Sequence, residues 1–141
     1  MKKYLYLLSI SLLALLSFQC KSTKESKNFS DQLNSGEFDV VKLNGNDVKD
    51  HKLTLIIDAE ENRISGQSSC NNYGVSYEMK EDTLDLGFVI ATKMYCEGEM
   101  EMEREFLKAV GNLNKFRYQD NNQKLSFFDE EGSKIIELTK Q

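Results

Sequence analysis

Cys70 and Cys96 are the residues best able to do chemistry in this chain, and what surrounds them limits which chemistry. Cys70 sits in Ser69-Cys70-Asn71-Asn72-Tyr73-Gly74 and Cys96 ends Thr92-Lys93-Met94-Tyr95-Cys96. A thiol nucleophile needs a nearby base, commonly histidine, and a third group to orient it. The chain has one histidine, His51, between Asp50 and Lys52 in a polar, turn-like stretch. Two cysteines alone cannot complete a four-ligand zinc site. The sequence has no Gly-x-Ser-x-Gly elbow for serine hydrolysis and no glycine-rich phosphate loop. Its 23 acidic residues single out no carboxylate pair for glycoside cleavage. The residues therefore favour a protein without catalytic activity, cofactor or metal.

The third cysteine, Cys20, closes an apolar run from Tyr4 to Phe18 that follows Lys2 and Lys3. A charged start and an apolar middle are the marks of an export signal, and the run is shorter than the roughly 20 residues a spanning helix needs. The segment resembles a bacterial lipoprotein signal, with residues 1–19 removed and Cys20 carrying lipid, although Ser17, Phe18 and Gln19 replace the usual residues before the cysteine. Such a protein would be anchored in the cell envelope; the alternatives are an ordinary secretory signal cut at another site or an uncleaved anchor helix, and either also sends the domain outside the cytoplasm. Lys21-Ser22-Thr23-Lys24 is not acidic, which favours the outer membrane with the domain facing the periplasm. Disulfides persist in such compartments. With Cys20 used by lipid, two thiols are left to bridge. A Cys70–Cys96 bond would contribute about 3.5 kcal/mol through loop closure. The alternatives are two reduced core thiols, or a metal or catalytic role.

Loss of residues 1–19 removes two lysines and no acids, leaving 16 basic against 23 acidic residues, a net charge of −7. Nucleic-acid binding needs clustered cations, whereas the lysines here are scattered among acids, so nucleic acid is not an expected partner, and the same charge disfavours lying flat on an anionic lipid surface. Residues 20–36 read as the lipidated cysteine and a flexible tether. Residues 37–141 are long enough for one small domain, expected to be monomeric, whose narrow stability margin a crosslink would widen.

Within that domain, Phe38–Leu43, Leu53–Asp58, Arg63–Gln67, Gly74–Met79 and Thr83–Ile90 are expected strands, by β-branched content or alternation. Glu99–Asn112 is the expected helix, with Met102, Phe106, Leu107, Val110 and then Leu113 on its apolar face. Glu97, Glu99, Glu101, Glu103 and Glu105 crowd its start, where carboxylates suit the helix dipole. They lack the loop geometry of a calcium site. Met94, Met100 and Met102 are read as core filler. Lys115–Gln119 and Lys124–Phe128 form a hairpin, and Lys134–Thr139 is the last strand. The chain has no proline, so glycine and asparagine must make the turns. Strands on both sides of one helix define an α+β fold, a mainly antiparallel sheet or partial barrel packed with one principal helix.

Ile64-Ser65-Gly66, then Cys70-Asn71-Asn72-Tyr73-Gly74-Val75-Ser76-Tyr77, Leu84 to Phe88, Ala91-Thr92-Lys93-Met94, Cys96 and Met102-Glu103-Arg104-Glu105-Phe106-Leu107 follow one another in an order that resembles the META-domain family, also called HslJ-like. The family usually has glycine where Ser69 stands and tryptophan where Phe38 stands. The resemblance implies an envelope lipoprotein domain with a compact β-rich fold, tied to stress or drug tolerance and without established catalysis. Cys70 to Tyr73 are expected to form a turn in which the asparagines cap their own backbone and Tyr73 covers the sulfurs. Asn71, Asn72 and Thr92 could instead line a groove beside the bridge. Two functions follow: binding of an envelope partner, or carriage of a small apolar ligand between sheet and helix near Phe88, Phe106 and Phe127.

Overall fold

The computed structural model describes residues 32–141. The expected export signal, Cys20 and most of the expected tether lie outside the described residues. The strands are β1 (Gly36–Leu43), β2 (Asn46–Asp47), β3 (Thr54–Asp58), β4 (Arg63–Gln67), β5 (Asn72–Lys80), β6 (Thr83–Leu86), β7 (Ile90–Ala91), β8 (Lys115–Gln119), β9 (Lys124–Phe128) and β10 (Lys134–Lys140). One helix, α1 (Met100–Val110), separates β7 from β8. All pairings are antiparallel, in the order β6-β5-β4-β3-β1-β10-β9-β8, with β2 on β1 and β7 on β5. The two ends of this path meet where the Leu84 N–H donates to the Asn114 carbonyl at 2.6 Å, just ahead of β8. Among the described residues the sheet is thus a nearly closed barrel with one helix, as the α+β reading expected.

Alternation decides which side chains fill the barrel, and a bulge corrects it where the sequence breaks phase. On β1, Phe38 and Val40 point inward, and strict period two would bring Lys42 in next. A register shift against β10 between Val40 and Lys42 resets the phase, so Lys42 stays exposed and Leu43 is buried. Asparagine supplies turn geometry in place of proline, as expected: Asn44, Asn62, Asn121 and Asn122 all have positive φ. Gly66 is required by close approach, because a Cβ there would lie 2.3 Å from the Thr54 carbonyl oxygen.

α1 buries Phe106, Ala109 and Val110. Phe106 meets Tyr73 of β5 edge to face at 5.4 Å. The helix is fastened to connections of the sheet by polar contacts as well: Asn44, in the β1–β2 turn, donates through Nδ2 to Glu105 at 2.9 Å. Among the described residues no helix is long and apolar enough to cross a membrane.

Four expectations need correction. The packed body begins ahead of Glu37: Leu33 is buried, the Asn34 N–H donates to the Tyr118 hydroxyl, and Ser35 accepts from the Ala59 N–H. The expected strand Thr83–Ile90 is two strands, broken where the Gly87 N–H turns back to the Ser76 carbonyl at 2.9 Å. The aromatic groove does not exist, because Phe106 and Phe127 are sealed in the core while Phe88 is 93% exposed. Met94, read as core filler, is exposed as well.

Phe106 carries the contact between helix and barrel, so Phe106→Ala should cost about 4 kcal/mol. Denaturant unfolding of the purified protein measures this, and a loss below about 1 kcal/mol would contradict the packing described.

Candidate functional site

The sulfur atoms of Cys70 and Cys96 are bonded, with Cα atoms 5.9 Å apart and a sequence separation of 26. Cys70 lies in the connection from β4 to β5, and Cys96 lies between β7 and α1. The bond therefore ties the run after β7 to the start of β5.

Beside it sits Asn71, 2% exposed. Its Oδ1 accepts from the Thr92 hydroxyl at 2.8 Å and the Met94 N–H at 2.7 Å. Its Nδ2 donates to the Met94 carbonyl at 3.1 Å and to Glu103 Oε2 at 3.0 Å. A carboxamide has two donors and two acceptor positions, and here all four are used. Glu103, 5% exposed, also accepts from the Ser68 hydroxyl at 2.6 Å, and Ser68 is fully buried. A buried carboxylate persists only with such partners. One buried network thus joins the β4–β5 connection, the run after β7 and α1.

Ser69 has φ 76°, the left-handed region that glycine accepts freely. That explains why glycine is usual at this place. Ser69 offsets the strain by donating its hydroxyl to Glu99, which also meets His51 Nδ1 at 2.8 Å. The Ser69 hydrogen bond, and after it His51, holds the Glu99 carboxyl below its ordinary range.

Of the sequence-predicted residues, Asn71, Asn72, Tyr73 and Thr92 come together, but not as a turn capping itself. Asn72 and Tyr73 already belong to β5, and the Asn71 side chain bridges to other segments. Tyr73 turns into the barrel against Phe106 instead of covering the sulfurs, and its hydroxyl donates to the Thr54 carbonyl at 3.0 Å. Burial pushes its phenol well above the ordinary range. Asn72 and Thr92 do line a groove, on the outside of the barrel, where the Asn72 N–H donates to the Thr92 hydroxyl. The groove has a volume of about 590 Å³, with Arg63, Ser76, Phe88 and Ile90 also in its lining. Gly74 forms its floor, and a Cβ there would lie 2.8 Å from Arg63 Nη2, so the guanidinium lies across the strand. A larger depression of about 790 Å³ lies between α1 and the barrel and mixes Lys108 with Asp85, Glu105, Asp129, Glu130 and Glu131. None of the sequence-predicted site residues lines it.

Ser68, Glu99, Glu103, His51 and Arg63 were not singled out as a site by the sequence. For Glu103 a signal existed: it precedes Phe106 by three positions and Val110 by seven, on the same helix face.

A nearly closed antiparallel barrel, with one helix tied to it through a disulfide-braced network, defines the class of this protein. The chain belongs to the META domain family, whose model matches residues 31–141. A protein from Burkholderia xenovorans, solved by NMR, is similar in structure, with a TM-score of 0.59 over 86% of this chain and 97% of that chain at 19% identity. That likeness concerns the fold alone. No curated protein matches the chain.

Asn71→Ala strips partners from Glu103, Thr92 and the Met94 N–H together, and should cost about 3 kcal/mol; urea unfolding measures it, and a cost under about 0.5 kcal/mol would contradict the network. Glu99 gives a pH signature. Its folded-state pKa is depressed, so its stabilising effect is present at neutral pH and is lost as pH falls through that lowered value. Glu99→Gln should flatten the acid side of the stability–pH curve measured by thermal melting, and an unchanged curve would show that the carboxylate contributes nothing.

Proposed function

We propose that this protein is a non-catalytic lipoprotein of the cell envelope, tethered through Cys20 to the outer membrane on its periplasmic side, which acts by binding an envelope component in stress or drug tolerance. The observation that carries this reading is the run from Phe88 to Tyr95. Phe88 is 93% exposed, Ile90 73%, Met94 57% and Tyr95 80%. Ile56, on β3, is the other large apolar side chain exposed among the described residues, at 37%. Concentrated exposed apolar surface marks interaction sites, and here a disulfide and a saturated asparagine hold it in place.

The site chemistry supports binding over catalysis. Cys70 and Cys96 are used by their bond. Carriage of a small apolar ligand between sheet and helix is not favoured, since the aromatic residues proposed for it fill the core.

A photoactivatable residue placed at Phe88 in cells expressing the whole chain should give adducts that are absent when it is placed at the exposed Lys124 in β9. Indistinguishable adducts from the two positions would refute a binding role for this face. Cys20→Ser should move the protein from the membrane fraction to the soluble fraction, and unchanged fractionation would refute the tether.

A further inference from the structure

We infer that the face carrying Phe88, Ile90, Met94 and Tyr95 rests on the phospholipid surface itself, with its apolar side chains in the interface and the Arg63 and Lys93 side chains on lipid phosphates. This names the component bound at the face assigned above, and it rests on the reading of Cys20 as a lipid anchor.

The chemistry fits a bilayer surface. Phenylalanine, isoleucine and methionine have no polar group to offer a partner, and tyrosine combines an apolar ring with a polar tip suited to the membrane–water boundary. Two cations accompany them. Arg63 lines the same groove as Phe88 and Ile90, and Lys93 is exposed between Thr92 and Met94. The ion pairs found among the described residues use other cations. Both are placed to meet phosphate, which guanidinium binds through paired donors. The anchored chain, without residues 1–19, carries a net charge of −7, and Glu61 shares the groove lining with Arg63, so the two cations serve individual phosphates while the apolar side chains carry the contact against the repulsion of an anionic surface.

The path of the chain points the same way. The described residues begin at Gln32, and Leu33 packs beside Ala59 and Asn62 of the β3–β4 turn. Glu61 of that turn and Arg63 just after it line the groove. The tether thus enters next to the proposed contact face. From Cys20 to Leu33 the chain can span at most about 45 Å, so an anchored Cys20 keeps this face within reach of the bilayer. The several acyl chains of a lipoprotein cysteine hold a protein at the bilayer by themselves, so the face contact sets the orientation of the domain there.

The chain has no tryptophan, so an introduced indole is a clean reporter. Phe88→Trp, Tyr95→Trp and, as reference, Lys124→Trp are made singly in the mature, membrane-purified protein. Each is reconstituted into vesicles of phosphatidylethanolamine and phosphatidylglycerol with brominated acyl chains. All three positions are exposed, and circular dichroism checks their folding. Indoles at 88 and 95 should be quenched at least about twofold more strongly than the one at 124. Equal quenching at the three positions overturns the inference. So do adducts from position 88 in cells that contain polypeptide and no lipid. The mass of the N-terminal peptide reports the anchor separately. An acylated Cys20 with equal quenching refutes the face contact alone, whereas preferential quenching by added vesicles without acylation refutes the anchor and upholds the contact.

Discussion

The four hydrogen bonds of the Asn71 side chain are the constraint on which the exposed apolar run from Phe88 to Tyr95 depends. β7 is only two residues long, and it cannot by itself hold the eight-residue run around it against the barrel. Asn71 grips that run at the Thr92 hydroxyl and at both backbone groups of Met94, and it reaches Glu103 on α1 with its remaining proton. The carboxamide can do this because it presents two donors and two acceptors in one plane. Aspartate would lose both donors and add a charge facing Glu103.

The disulfide and the asparagine do different work at the same place. The disulfide acts mainly on the unfolded chain, whose freedom it restricts whatever the native contacts. The network acts on the folded state by satisfying polar groups that burial would otherwise leave costly. Together they allow large apolar side chains to stand outward from Phe88 to Tyr95. Without such bracing, a segment of this composition would lower its free energy by collapsing onto the nearest apolar surface. Its exposure is therefore a held conformation.

Much of the fold was legible because alternation and helical spacing report burial directly. Phe38, Val40, Ile64, Val75 and Leu84 point inward as their strands require, and the helix buries the face that Phe106 and Val110 mark. The family could be read from separated motifs in the right order. The site was less legible for two physical reasons. Polar burial depends on partners distant in sequence: Glu103 looks like any dipole-compensating glutamate until Ser68 and Asn71 arrive beside it. Alternation also assumes that apolar residues face the core, so it misplaced Phe88, which projects outward just after the chain breaks away at Gly87. The Asn-Asn turn was misread for a similar reason, because local capping is the usual fate of asparagine while here the side chain of Asn71 reaches another segment.

The account rests on Asn71 holding the outward run in place, and amide hydrogen exchange at Met94 tests it most directly. The acceptor for that N–H is Asn71 Oδ1, so Asn71→Ala should accelerate exchange at Met94 and Thr92 by orders of magnitude while amides in β9 and β10 stay protected. Protection at Met94 that is unchanged in the variant, or lost equally throughout the barrel, would contradict the claim that this one side chain fixes the face.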